Sequence, residues 1–116
     1  MTSIQSKNHL FLQTSKGLEI IELKALVRIE AISNYSKIHF VNGKTLVVSK
    51  VLKWFEETLA DAQFIRVHRT HIVNKVFIHR YIKDDGYKIG LINGDLVDVS
   101  RRKKMLVIQS LHRLAA

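Results

Sequence analysis

The feature that most restricts this chain is an alternation of apolar and polar residues with period two. It returns in His9 to Gln13, Leu18 to Leu23, Val27 to Ile32, Tyr35 to Val41, Val76 to Ile82 and Tyr87 to Ile92. Successive side chains of a strand face opposite ways, so this pattern suits half-buried sheet and not helix. The turn punctuation agrees. Asn42-Gly43 and Asn93-Gly94 lie between apolar runs, where a tight hairpin needs the positive φ that these residues tolerate, and Asp84-Asp85-Gly86 does similar work. Asp95 to Val99 is expected to pair locally with Gly90 to Ile92. Two segments have helical spacing instead. Ser49 can cap a helix from Lys50 to about Ala62, with Val51, Leu52, Phe55 and Leu59 as its apolar stripe. Ser100 can cap a second from Arg101 to about Leu114, with Met105, Ile108 and Leu111 inward. The expected fold is mainly β, packed antiparallel sheets with two short amphipathic helices.

Nothing divides the 116 residues: there is no proline, no internal repeat and no linker-like tract, so one domain over 1–116 with one core is expected. The chain has no cysteine, which rules out disulfides and Cys-containing zinc modules and fits a reducing, cytoplasmic setting. No apolar run approaches the roughly 20 residues of a spanning helix, and Met1 to Leu10 lacks a signal-peptide core.

Charge narrows the partner. A net charge of +9, with most of the excess after residue 30, favours a polyanion such as DNA, RNA or an anionic membrane. Ser100-Arg101-Arg102-Lys103-Lys104 places four cations in the first turn of a predicted helix, where unpaired N–H groups already carry positive charge. Each added cation there is unfavourable by roughly 0.3–1 kcal/mol, a cost that a bound phosphate would offset. A solvated helix end is the plain alternative. A second cluster, Phe64-Ile65-Arg66-Val67-His68-Arg69-Thr70-His71-Ile72-Val73-Asn74-Lys75, has the character of a loop pinned by apolar residues, with Arg66, His68, Arg69, Thr70, Asn74 and Lys75 as donors for phosphates and base edges. A third polar loop is Ser33-Asn34-Tyr35-Ser36-Lys37, which is either a base reader or a simple turn.

Catalysis has little support: no Gly-rich phosphate loop, Ser-His-Asp set or His-Glu helix motif occurs. His68 and His71 stand three apart but lack residues to complete a tetrahedral set, so they are expected to hydrogen-bond, and neither a metal nor a cofactor is expected.

The stretch from Phe64 to Asn74 resembles the signature of the LytTR-type DNA-binding domains of bacterial transcriptional response regulators (the LytR/AlgR family), roughly Phe-x-Arg-x-His-Arg-Ser-x-x-Val-Asn. Ile29-Glu30-Ala31 with Asn34-Tyr35, Leu52-Lys53 with Phe55 and Leu59, and Val99-Ser100-Arg101-Arg102 follow the family in order. The resemblance runs from about Leu18 to Leu111. Thr70 replaces the usual Ser, keeping the hydroxyl, and His71 stands where an aromatic is common. The resemblance implies a β sandwich that reads DNA with loops entering successive major grooves. Carried over by motif position, base contacts fall on Asn34, Tyr35, Ser36, Arg69 and Arg101. Backbone contacts fall on Lys37, Arg66, His68, Asn74, Lys75, Arg102, Lys103 and Lys104. The resemblance also implies operators of paired direct repeats in duplex DNA and a two-component system. A phosphorylatable receiver is expected in the full-length protein; none is present in these residues, so the chain is expected to be an excised output domain or a stand-alone relative.

Three rival readings share some of these features. A helix-turn-helix needs adjacent helices, whereas strands lie between the two here. An RNA-binding module would show stacking aromatics at strand centres, and the aromatic residues here are expected inward. A protein-interaction or other polyanion-binding module would need only the basic surface.

Overall fold

The computed structural model describes residues 8–60, 63–83 and 85–112, so the predicted helix ends at Ala62 and Leu114, and Asp84 of the third turn, lie outside the described residues. The alternating segments form antiparallel strands in separate sheets. β1 (His9–Thr14) and β2 (Gly17–Glu22) make a hairpin. β3 (Leu26–Ile32), β4 (Tyr35–Phe40), β5 (Thr45–Val48), β6 (Phe64–His68) and β7 (His71–Asn74) make a five-stranded sheet in the order β5-β4-β3-β7-β6. β8 (Ile78–Lys83), β9 (Tyr87–Leu91) and β10 (Leu96–Val99) make a three-stranded sheet in the order β10-β9-β8. α1 (Leu52–Thr58) follows β5, and α2 (Lys104–His112) closes the described chain. At Asn42-Gly43 and Asn93-Gly94 the glycines have φ of 87° and 94°, the left-handed backbone those hairpins require.

The stretch from Phe64 to Asn74 is not the pinned loop expected from its sequence but a β hairpin. Alternation is absent there for a physical reason: Ile72 and Val73 point to opposite faces of the sheet, and both are fully buried. A strand covered on both faces loses its polar positions and with them the period-two signal. β5 lies outside the alternating segments because Leu46, Val47 and Val48 form a continuous apolar run with no period of two.

One core was expected, and the five-stranded sheet instead separates two. On one face Leu26, Ile29, Ile38 and Ile72 pack with Leu10, Leu12 and Ile21 of the first hairpin and with Leu52, Phe55 and Leu59 from α1 and its C-cap. On the other, Val27, Val67 and Val73 pack with Ile89, Leu91, Val97 and Val99 of the smaller sheet and with Val107 of α2. Each fully buried Leu, Ile or Phe side chain contributes about 1.5–3 kcal/mol, so the central strands β3 and β7 are anchored from both sides.

Both helices depart from their predicted starts. α1 begins at Leu52, with Val51 at the cap position and no side-chain cap, so Ser49 plays no capping part. Ser100 does cap, but it caps a turn: its Oγ accepts from the Lys103 N–H (3.2 Å), and α2 begins only at Lys104. Arg101, Arg102 and Lys103 therefore lie in a turn ahead of the helix, and the expected crowding of cations inside its first turn is reduced to Lys104. Lys104 sits with its Nζ 5.0 Å above the Tyr87 ring, a contact that favours a cation.

Candidate nucleic-acid interface

Strand order brings distant polar segments to one end of the five-stranded sheet. The β3–β4 turn (Ser33, Asn34) and the β6–β7 turn (Arg69, Thr70) belong to hairpins whose inner strands, β3 and β7, are neighbours. The Ala31 N–H donates to the Thr70 carbonyl (2.9 Å), so both turns leave the same edge, about 10 Å apart given the spacing of strands. The Ser100 N–H donates to the Val67 carbonyl (2.9 Å) and ties the turn of Arg101–Lys103 beside the second hairpin. Three polar turns from residues 33, 69 and 101 onward thus form one row.

The second and third turns share a cleft of about 390 Å³ lined by Arg66, His68, Arg69, Ser100, Arg102 and Lys103. No carboxylate among the described residues lines it. Arg66 is spent internally: Nη1 donates to Glu56 Oε1 (3.0 Å) and Nη2 to the Arg69 carbonyl (2.8 Å), fixing the turn. The side chains of Arg69, Arg101 and Arg102 are exposed and have no hydrogen-bond or ion-pair partner among the described residues. Arg69 and Arg102 line one cleft without counter-charges, whereas Arg101 lies outside its lining; paired guanidinium groups of this kind favour an anion, and their planar forks suit phosphate or a guanine edge.

A polar network that sequence reasoning did not find meets the cleft at His68. Arg28, 14% exposed in its side chain, donates from Nε to Asp95 Oδ2 (2.9 Å) and from Nη1 toward Glu30 Oε1 (3.4 Å) and His71 Nε2 (3.0 Å). His39 Nε2 lies 3.0 Å from the same Glu30 oxygen. From His71 the contacts continue through Nδ1 to Thr70 Oγ1 (3.0 Å) and on to His68 Nδ1 (2.8 Å). Burial, with the Arg28 charge next, holds the His71 ring below its ordinary pKa. Burial pushes Glu30 and Asp95 up, but for Glu30 the His39 hydrogen bond and the Arg28 charge outweigh it, and for Asp95 the Arg28 and Asn93 hydrogen bonds do. Both carboxyls stay below their usual range. The available signal was Arg28 and Glu30 at alternate positions of a strand covered on both faces, since charges there require partners.

This sequence matches the LytTr DNA-binding domain family over residues 16–112. The chain belongs to that family. It is similar to the positive alginate biosynthesis regulatory protein of Pseudomonas aeruginosa, 29% identical over 113 residues that cover 93% of this chain. The chain spans 44% of the length of that relative. Its fold matches a LytTr DNA-binding domain from Bacillus cereus with a TM-score of 0.77 and 25% identity, covering 91% of this chain and 98% of the other. The mainly β fold and the DNA-binding family accord with the sequence reading.

Within this LytTr domain the residues expected to touch DNA divide sharply. Asn34, Tyr35, Arg69, Arg101 and Arg102 are exposed in the row of turns. Lys103 and His68 are half-buried in the cleft wall, and Lys37 lies two residues into β4 from Tyr35. Ser36 and Asn74 do not belong to the surface. Ser36 is fully buried, its Oγ donating to the Lys50 carbonyl (2.6 Å). Asn74 is fully buried, its Nδ2 donating to the Leu23 and Leu26 carbonyls (3.3 and 2.9 Å) and its Oδ1 accepting from the Val76 N–H (3.2 Å). Lys75 follows Asn74 at the far end of β7, where its Nζ donates to Ser110 Oγ (3.2 Å), away from the turns. The expectation that Ser36 and Asn74 contact DNA is corrected accordingly: both side chains turn inward to satisfy backbone groups, Asn74 at the end of β7 away from the Arg69 turn.

Proposed function

We propose that this chain is the sequence-specific, duplex-reading output domain of a bacterial two-component regulator, acting in the cytoplasm without enzymatic chemistry of its own. The observation that carries the reading is the common edge from which three polar turns emerge, two of them sharing a cleft lined by Arg69, Arg102 and Lys103. In this reading Asn34, Tyr35, Arg69 and Arg101 meet base edges in successive major grooves. Lys37, His68, Arg102, Lys103 and Lys104 meet phosphates, and Arg66 holds the Arg69 turn in place. Exposed donors on rigid hairpins suit this division, because phosphate contacts set register while forked or amide side chains discriminate bases. The operator is read as paired direct repeats bound by two copies, and the partner on the same polypeptide as a receiver domain whose phosphorylation controls binding.

Selection of bound sequences from random duplex, followed by footprinting, tests this. The expected result is an enriched motif in two copies on one face of the duplex. Retention of every duplex alike would reduce the protein to a non-specific polyanion binder.

A further inference from the structure

The network that meets the cleft at His68 has a direction, set by which atoms can donate. A guanidinium has donors only, so His71 Nε2, 3.0 Å from Arg28 Nη1, must accept. A neutral ring that accepts at one nitrogen carries its hydrogen on the other, so Nδ1–H of His71 donates to Thr70 Oγ1. The Thr70 hydroxyl then gives its hydrogen to His68 Nδ1, 2.8 Å away, and the Thr70 backbone N–H points at the same atom (3.2 Å). With two donors directed at Nδ1, His68 holds its hydrogen on Nε2. His68 also lines the cleft with Arg69, Arg102 and Lys103.

We propose that Arg28, remote from the row of turns, is a positioning residue for DNA binding. Acting through His71 and Thr70, it fixes His68 as a neutral ring with Nε2–H available to a phosphate oxygen in the cleft. The inference rests on the DNA reading above and adds a specific role for groups that touch no DNA. A neutral donor differs from the neighbouring cations in one measurable way: it adds affinity without releasing a counterion, so its contribution leaves the salt slope of binding unchanged. The low pKa of the His71 ring agrees with its part as an acceptor beside a permanent cation. Thr70 is the link that can be altered with least disturbance, because its backbone contact to Ala31 does not involve the side chain.

Two measurements test the inference. Long-range proton–nitrogen NMR of the free, nitrogen-15-labelled chain at neutral pH should show hydrogen on Nδ1 of His71 and on Nε2 of His68. The opposite tautomer in either ring, or averaging between the two, would overturn it. Binding to a pool of random-sequence duplexes should be about fivefold weaker for Thr70→Val, the loss expected for one hydrogen bond, with an unchanged salt slope. Thr70→Ser, which keeps the hydroxyl, should match the parent. A Thr70→Val variant that binds like the parent, a Thr70→Ser variant as weak as Thr70→Val, or a changed slope would each refute the relay. Absence of binding by the parent itself would refute the DNA reading and the purpose of the relay together, even with both rings in the expected state.

Discussion

The two ends of the β6–β7 hairpin belong to one continuous motif and do opposite work. At the turn, Arg69 is exposed with no side-chain partner among the described residues. At the other end Asn74 is fully buried, and each of its polar atoms is committed to a backbone group. In sequence they are five residues apart, both polar, and equally suited to a nucleic acid. The difference shows that a signature of this kind joins binding residues to residues that keep the hairpin seated, and that only the direction of the strand separates them.

The largest expected effect breaks that comparison at its buried end. Asn74→Ala leaves the Leu23 and Leu26 carbonyls and the Val76 N–H without their partner, at about 1–3 kcal/mol for each group that stays dry. Urea unfolding should show the loss, and the fraction still folded should bind duplex normally. Weaker binding with an unchanged unfolding midpoint would return Asn74 to the interface. At the exposed end, Arg69→Ala should leave stability within about 0.5 kcal/mol. It should cost about 1–3 kcal/mol on the selected duplex and much less on random sequence. Equal losses on both would make Arg69 a phosphate binder. Lys103→Ala should weaken binding to every sequence modestly and flatten the log–log salt slope by about 1.

The smallest effect concerns pH. His71 is held neutral below its usual pKa, so the unfolded chain takes up a proton before the folded one does. Its contribution is intact above the unfolded value near 6.5 and is lost as pH falls from there to the lower folded value. Glu30 and Asp95 behave as depressed carboxyls, and their contribution is lost only in a second, more acid limb, as pH falls below their unfolded values toward the folded ones. Denaturant titrations across pH should resolve two limbs in the parent. His71→Phe should remove the first and keep the second.

Much of this architecture was legible because local rules and global fold agree. The alternating segments became strands β1 to β4, β8 and β9, and Asn42-Gly43 and Asn93-Gly94 became hairpin turns. The arginine-rich stretch at 101–104 and the Arg69 segment were legible as anion-seeking because so many cations with so few acids need an external partner. The reading failed where burial on both faces erased the pattern, as in β7, and where a polar side chain turned inward, as in Ser36. Arg28 escaped notice because, besides Glu30 on its own strand, its partners come from two distant places in the chain: Asp95 from the β9–β10 turn and His71 from β7.

Composition, period and motif by themselves determined that this is a basic, sheet-rich chain of the LytTr kind with cations to neutralise. The tertiary structure alone decided which polar residues face outward, that turns from residues 33, 69 and 101 onward share one edge, and that a half-buried arginine connects through His71 and Thr70 to His68 in the cleft wall. The physical reason is that periodicity reports only each residue's relation to its neighbours along the strand. Proximity across strands depends on sheet order and register, which are set by how two separate cores close on opposite faces of the central sheet.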